Sequence, residues 1–265
     1  MSDTLPHDPD LRRVLEGLVT GVMGLEEALG RLRLFQVAQL GDFARLDSNR
    51  DLRKGVPEIV YASRKRDADL EAIVLHCLSD RGFALVTRLD SARIDTLREM
   101  LDAAAPTWHY DERACILSAY TAAYRPPEER GIVGLLTAGT SDIPVAEEAA
   151  LVMTHMGCKV VRGYDLGVAG LHRLAGPLGQ MLEAGADVLV VCAGMEGALP
   201  SVIAGLVDIP VIGVPTSTGY GLGGDGTAAL CSMLQSCSPG LVAVNIDNGV
   251  GAGAAAALIA RGRRQ

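Results

Sequence analysis

The chain has 265 residues, 49% of them apolar and only 4% aromatic, with 31 glycines and a net charge of −8. That length carries one large domain or two modest ones, and the apolar share supports a sizeable aliphatic core. The acidic balance excludes a general nucleic-acid or anionic-membrane surface while leaving room for one local anion site.

The opening MSDTLPHDPDLRR has no basic segment followed by an apolar run, so no secretory signal is expected. Residues 10–34 have apolar positions at three-to-four spacing and predict a helix. A charged, less periodic stretch runs on through Arg53. EIVYA (58–62) predicts a short strand. Residues 67–82 predict a helix capped by Asp67 or Asp69 and stopped at Gly82. FALVTRL (83–89) predicts a strand, SARIDTLREMLDAA (91–104) a helix and ACILSAY (114–120) another strand. These elements make a smaller α+β domain over residues 1–124. The paired prolines and charges of YRPPEERG (124–131) mark a linker to a second domain, 125–265.

The second domain has a regular rhythm. Five apolar runs (GIVGLLTAG, KVVRGYDLG, DVLVVCAG, PVIGVPTS and GLVAVNID) each precede a helical segment. Such alternation predicts an α/β fold with a parallel sheet and helices on both faces. Ligands of these sheets bind beyond the carboxyl ends of the strands, so the strand-end loops hold the candidate chemistry. The last apolar stretch, LVAVNIDNGVGAGAAAALIA, is too interrupted by polar residues and glycines to cross a membrane.

After the first strand, Gly139-Thr140-Ser141-Asp142 leads into a helix. Free backbone N–H groups and hydroxyls there would suit a phosphate, while Ser141 or Asp142 could equally be a plain helix cap. After the second strand, Asp165 is a stronger functional candidate than His172, which reads as a surface residue. After the third, Glu196 sits in the glycine-flanked loop Gly194-Met195-Glu196-Gly197, as a cap or as a ligand for metal or substrate. The glycines let backbone approach a ligand closely, and Cys192 belongs to the core.

After the fourth strand, beyond Thr216, the segment Gly221-Leu222-Gly223-Gly224-Asp225-Gly226 matches G-x-G-x-x-G, with Asp247 about 20 residues further on. The intervening TSTGY separates these glycines from their strand. The segment therefore reads as a glycine-rich loop over a pocket, with an NAD-binding oxidoreductase as the alternative. Asn248 is placed to cap the last helix.

The six cysteines, at 77, 115, 158, 192, 231 and 237, form no CxxC pair or zinc-spaced cluster. Free thiols in a reducing, cytoplasmic compartment are the expectation. Cys231 shares an apolar pattern with Ala228 and Leu234 and reads as core. Cys237, between Ser236 and Ser238 and just before a Pro-Gly stop, reads as exposed to a crevice. A helix C-terminus disfavours a thiolate, so its activation would come from a cation, another helix's N-terminus or a cationic substrate.

In order, GTSDIPVAEEA, YDLGVAGLHR, CAGMEGALPSVIAGL, PVIGVPTSTGYG, LQSCSPG and AVNIDNGVGAG resemble the LarB family, the carboxylase/hydrolases of nickel-pincer cofactor biosynthesis. DLRKGVPEIVYASRK resembles that family's first domain. The second half is also similar to the PurE fold of the carboxyaminoimidazole ribonucleotide mutases. It departs from them in lacking a histidine in YDLGVAG, and in having Met195-Glu196-Gly197 where the mutases have Ala-Ala-His.

The LarB resemblance implies carboxylation of nicotinic acid adenine dinucleotide by CO2 or bicarbonate and hydrolysis of its phosphoanhydride. The products would be AMP and pyridinium-3,5-biscarboxylic acid mononucleotide. It further implies Mg2+ or a similar divalent cation, an octameric homo-oligomer, Cys237 as nucleophile, and Glu196 for metal or proton transfer. Ser141 and Asp142 would hold phosphate and ribose, and Asp165 is the candidate base for water. Arg53 and Arg64 are candidate basic groups from the first domain.

Overall fold

The computed structural model describes residues 9–32, 37–47, 50 and 54–263; Arg53 lies outside them. The chain divides into two compact units, residues 1–58 and 59–265. The first contains helices α1 (Pro9–Val19) and α2 (Leu25–Leu32) and an antiparallel hairpin, β1 (Val37–Leu40) with β2 (Ala44–Asp47). The single helix expected over 10–34 is therefore two. The break falls at Gly21, whose φ of 71° no helix interior accommodates.

The second unit opens with a four-stranded sheet of order β3-β4-β6-β5, from β3 (Val60–Tyr61), β4 (Phe83–Thr87), β5 (Thr107–Asp111) and β6 (Ile116–Tyr120). Helix α3 (Asp67–Arg81) stops at Gly82, whose φ of 76° makes a left-handed cap. Its N-cap is Arg66 without a side-chain cap bond; Asp67 and Asp69 lie inside the first turn, where they favour the helix dipole rather than cap it. Helix α4 is Ile94–Ala104. Strand β5 was not predicted, because TWHYD alternates weakly and lies on the sheet edge.

The remainder is a five-stranded parallel sheet of β7 (Gly131–Thr137), β8 (Cys158–Gly163), β9 (Val188–Ala193), β10 (Val211–Pro215) and β11 (Leu241–Ala243), in the order β11-β10-β9-β7-β8. Each of the five predicted apolar runs supplies one strand. Helices α5 (Ile143–His155), α6 (Ala175–Glu183), α7 (Leu199–Ala204), α8 (Thr227–Leu234) and α9 (Gly249–Gly262) complete the layers. β9 is buried at every position, as a central parallel strand should be. In chain order the sheet runs 2-1-3-4-5, the flavodoxin-like doubly wound arrangement. Its switch point, and so its expected crevice, lies between the carboxyl ends of β7 and β9. Asn248 caps α9, as expected, by accepting from the Gly251 N–H at 2.8 Å. All six cysteines are free, and no helix among the described residues is long and apolar enough to cross a membrane.

One polar cluster ties the two sheets together. His155, at the end of α5, stacks on Tyr120 with 5.7 Å between ring centroids, and Phe83 and Tyr124 pack around them. His155 Nδ1 lies 2.8 Å from the Leu151 carbonyl, which only accepts, so Nδ1 carries the proton and Nε2 accepts from the Tyr120 hydroxyl at 2.8 Å. Burial lowers the His155 pKa from 6.5, partly offset by the bond to Leu151. The folded state thus binds a proton less readily than the unfolded chain, so stability is full above about pH 6.5 and falls as pH drops below it. Urea midpoints at pH 7.5 and 5.5 are expected to differ more for the wild type than for His155→Gln, which keeps an acceptor but does not titrate.

Candidate functional site at the carboxyl ends of the strands

The switch-point crevice is a pocket of about 560 Å³. Its walls come from four strand-end loops: Ala138–Asp142 after β7, Gly167–Ala169 after β8, Ala193–Leu199 after β9 and Thr218–Tyr220 after β10. Of the residues singled out from sequence, Gly139, Ser141, Asp142, Gly194, Met195 and Glu196 line it. Thr140, Asp165, Gly197, Thr216, Gly221, Gly223, Gly224 and Cys237 do not. Gly167–Ala169 and Thr218–Tyr220 were missed, although the rule that strand-end loops carry ligands pointed to both segments.

Asp142 is the organiser of this pocket. It is buried, and one carboxylate oxygen accepts from the Thr216 and Thr218 hydroxyls at 2.6 Å each. The other accepts from the Gly139 N–H at 2.8 Å. The loops after β7 and β10 are thereby tied through one carboxylate, and its bonding capacity turns inward. The Thr218 carbonyl in turn accepts from the Met195 N–H at 3.0 Å, which fixes the Glu196 loop. That loop is sterically tight. A Cβ on Gly194 would lie 2.1 Å from the Thr218 carbonyl oxygen, and one on Gly197 2.8 Å from Ala229. Met195 itself has a φ of 52°, a left-handed conformation that a side-chain-bearing residue adopts at a cost.

Glu196 is exposed at the pocket wall, and its carboxylate makes no hydrogen bond or ion pair with another described residue. It is not a helix cap: α7 has no side-chain cap bond at its start. Among the described residues, no Lys or Arg lines the pocket. The Arg173 guanidinium donates to the carbonyl of pocket-lining Gly167 at 3.4 Å, and that of Arg113 is 3.4 Å from the Thr140 carbonyl. Asp165 is exposed and ion-paired with Arg173 at 2.7 Å. Arg64 is exposed and lines no part of the pocket.

The glycine-rich segment takes a different part from a dinucleotide fingerprint. Gly221–Gly223 form a 3-10 turn, Gly223 packs on Ala228, and Gly226 holds a φ of 88° at the start of α8. Their freedom serves the turn, while their neighbours Gly219 and Tyr220 reach the pocket.

Both late cysteines are exposed. For Cys231 this corrects the expectation of a core residue: α8 buries Ala229 and Met233, and its Ala228, Cys231 and Leu234 face outward. The apolar stripe was read one position out of phase because this helix is apolar on both sides. Cys237 lies beyond α8, as expected, in a turn pinned by the Ser238 hydroxyl to the Ser201 carbonyl at 2.9 Å. That turn feeds the N-terminal end of β11, whereas the pocket opens at the carboxyl ends of the strands. With β10 spanning Val211–Pro215, roughly 15 Å of strand separates the two edges.

A smaller cavity of about 170 Å³ opens beside Arg88, Glu148 and Asp247. Arg88, on the end of β4, makes a two-pronged pair with buried Glu148 of α5 and donates to the Asp247 carbonyl at 2.8 Å. The Asp247 carboxylate accepts from the Ser217 N–H at 2.8 Å and the Ser217 hydroxyl at 2.6 Å. Ser217 sits between the two threonines that hold Asp142, so the small sheet is wired to the pocket. Burial raises the Glu148 pKa, and the Arg88 guanidinium works against that rise.

The comparisons with known proteins agree with this architecture. Residues 37–121 match the family described as the LarB/PurE-like N-terminal domain, and residues 132–265 match the family described as AIR carboxylase. The chain belongs to the LarB family, with a PurE-like C-terminal domain. An uncharacterized protein of Methanocaldococcus jannaschii is 42% identical over 259 residues, covering 95% of this LarB-family chain and 97% of that relative. An N5-carboxyaminoimidazole ribonucleotide mutase of Thermotoga maritima is 30% identical over 131 residues, 48% of this chain and 73% of the mutase. A mutase of the same name from Pyrococcus horikoshii is 30% identical over 121 residues, 44% of this chain and 66% of the mutase. The LarB-family chain is thus an enzyme of the carboxylase/mutase type.

Proposed function

We propose that this enzyme carboxylates the pyridinium ring of nicotinic acid adenine dinucleotide and hydrolyses its phosphoanhydride, releasing AMP and pyridinium-3,5-biscarboxylic acid mononucleotide. The observation that carries the reading is Glu196: an exposed carboxylate with no partner among the described residues, in a sterically tight loop at the switch-point pocket, within the segment Met195-Glu196-Gly197 that stands where the mutases have Ala-Ala-His. Residues 1–124 and 125–265 are its two working domains. Gly139, Thr140, Ser141 and the Gly194–Gly197 loop bind substrate, with Asp142 and Thr216 setting the loops that touch it. Gly221, Gly223 and Gly224 shape the loop that carries Tyr220.

A pyridinium carbon is electron-poor and does not attack CO2. Addition of the Cys237 thiolate to ring carbon 4 gives a neutral dihydropyridine whose carbon 5 is nucleophilic. Carbon 5 then bonds to CO2, supplied as such or from bicarbonate. Glu196 takes the carbon-5 proton, and the ring expels the thiolate to regain aromaticity. The substrate's positive ring supplies the thiolate activation that the α8 C-terminus withholds. Because Cys237 and the pocket occupy opposite edges of one sheet, the reaction calls for a homo-oligomer in which one copy presents Cys237 to another copy's pocket.

No group of three or more His, Cys, Asp or Glu among the described residues could hold a metal alone. A single free carboxylate fits Mg2+, which keeps its waters and is held by one or two carboxylates plus substrate phosphates. Where Glu196 serves the metal instead of the proton it would hold this ion, which would neutralise charge on the diphosphate. Asp165, oriented by Arg173, is the proposed base for the attacking water.

Incubation with nicotinic acid adenine dinucleotide, bicarbonate and Mg2+, with mass detection of both products, tests the reading. Glu196→Gln is expected to lose carboxylation by about 10²-fold or more, the usual reach of a general base. A wild-type enzyme that makes no dicarboxylated product refutes the assignment. Conversion of N5-carboxyaminoimidazole ribonucleotide in the same assay would put a PurE-type mutase in its place.

A further inference from the structure

We propose that the smaller cavity, between the ends of β3 and β4 and the start of α9, seats the adenine ring of the dinucleotide; this rests on the substrate assigned above. Its volume, about 170 Å³, is well under the ~300–1,000 Å³ of pockets that enclose whole ligands. It therefore suits one ring system rather than a nucleotide.

The lining selects the kind of ring. Its ionic groups already answer one another: Arg88 is paired with Glu148, and the Asp247 carboxylate is engaged by Ser217. Such walls favour a neutral guest over a charged one. Ile59 and Val250 offer apolar surface. Tyr61 has 56% of its surface exposed, so its ring is free to stack, and the Arg88 guanidinium, one-third exposed, offers a second flat face. Asn248 spends its carbonyl oxygen on the Gly251 N–H, while its amide nitrogen makes no hydrogen bond to another described residue. That nitrogen is a donor for the ring-nitrogen acceptors of a purine.

Position supports the same guest. Asp247 lines the small cavity, Thr218 lines the large one, and exposed Ser217, next to Thr218 in the chain, is bonded to Asp247. Two cavities whose linings are linked through the Ser217–Asp247 bonds match a ligand with two ring systems joined by a flexible diphosphate. The cationic pyridinium goes to the pocket bearing Glu196, and the neutral purine to the charge-balanced cavity.

The test uses AMP as probe, with nicotinic acid mononucleotide as control, both by calorimetric titration. AMP is expected to bind the wild type. Tyr61→Ala should weaken it about tenfold or more, the order of one lost base–aromatic stack. Asn248→Asp, which keeps the helix cap but removes the amide donor, should weaken it too. Neither change should alter mononucleotide affinity. No binding of AMP to the wild type, or AMP affinity indifferent to both substitutions, overturns the subsite. An enzyme that binds AMP through Tyr61 yet leaves the dinucleotide unreacted sinks the reaction and keeps the subsite; turnover with Tyr61-independent AMP binding does the reverse.

Discussion

Cys237→Ala is expected to abolish carboxylation of nicotinic acid adenine dinucleotide, a loss of at least about 10³-fold, the scale on which removing a covalent nucleophile acts. Cys237 is exposed and lies outside the core, so fold stability should be unchanged within about 0.5 kcal/mol. The geometry adds a sharper expectation. Cys237 and Glu196 sit at opposite ends of the strands of the same parallel sheet, so the proposed mechanism requires a site drawn from two copies. Co-expression of Cys237→Ala with Glu196→Gln chains should then restore activity, because some sites combine an intact Cys237 with an intact Glu196. Each variant alone should stay inactive. Product from Cys237→Ala alone would end the thiolate mechanism. Absence of recovery in mixed assemblies that do form would end the shared site.

Parts of this were legible in the sequence for definite reasons. Strands β7, β9 and β10 are buried, aliphatic-rich runs, and the regular alternation of five apolar runs with helical segments marks a parallel sheet covered on both faces. Its strand-end loops follow from chain order, which is why Ser141, Gly194 and Glu196 line one pocket. What stayed hidden depends on long-range pairing. That Asp142 turns inward is set by Thr216 and Thr218, more than seventy residues away. The phase of α8 is decided by which side meets β10 and β11, and a helix with apolar residues on both sides does not announce it. The edge strand β5 has too little burial to impose an alternation. Arg88 and Asp247 carry no local sign of partnership; only the fold brings β4, α5 and the β11–α9 turn to one point.

Arg88→Ala is the substitution expected to cost the most stability, about 3–5 kcal/mol. It strips the partner from Glu148, whose side chain is 4% exposed, and leaves a carboxylate that water reaches poorly. The same change releases the Asp247 carbonyl, and with it the turn that holds Ser217 beside the pocket. Urea unfolding should show a large drop in midpoint. Two companions separate the causes. Glu148→Gln removes the buried charge while leaving a hydrogen-bond acceptor for Arg88, and should cost less. The double change Arg88→Met with Glu148→Leu replaces the pair by apolar groups of similar reach and should recover much of the loss, since desolvating two charges offsets most of what their attraction contributes. The double variant still lacks the donor to Asp247. If the wiring from the small sheet to the pocket matters, it should fold well yet bind nicotinic acid adenine dinucleotide more weakly than the wild type. A double variant with wild-type affinity would reduce Arg88 to a stabilising contact.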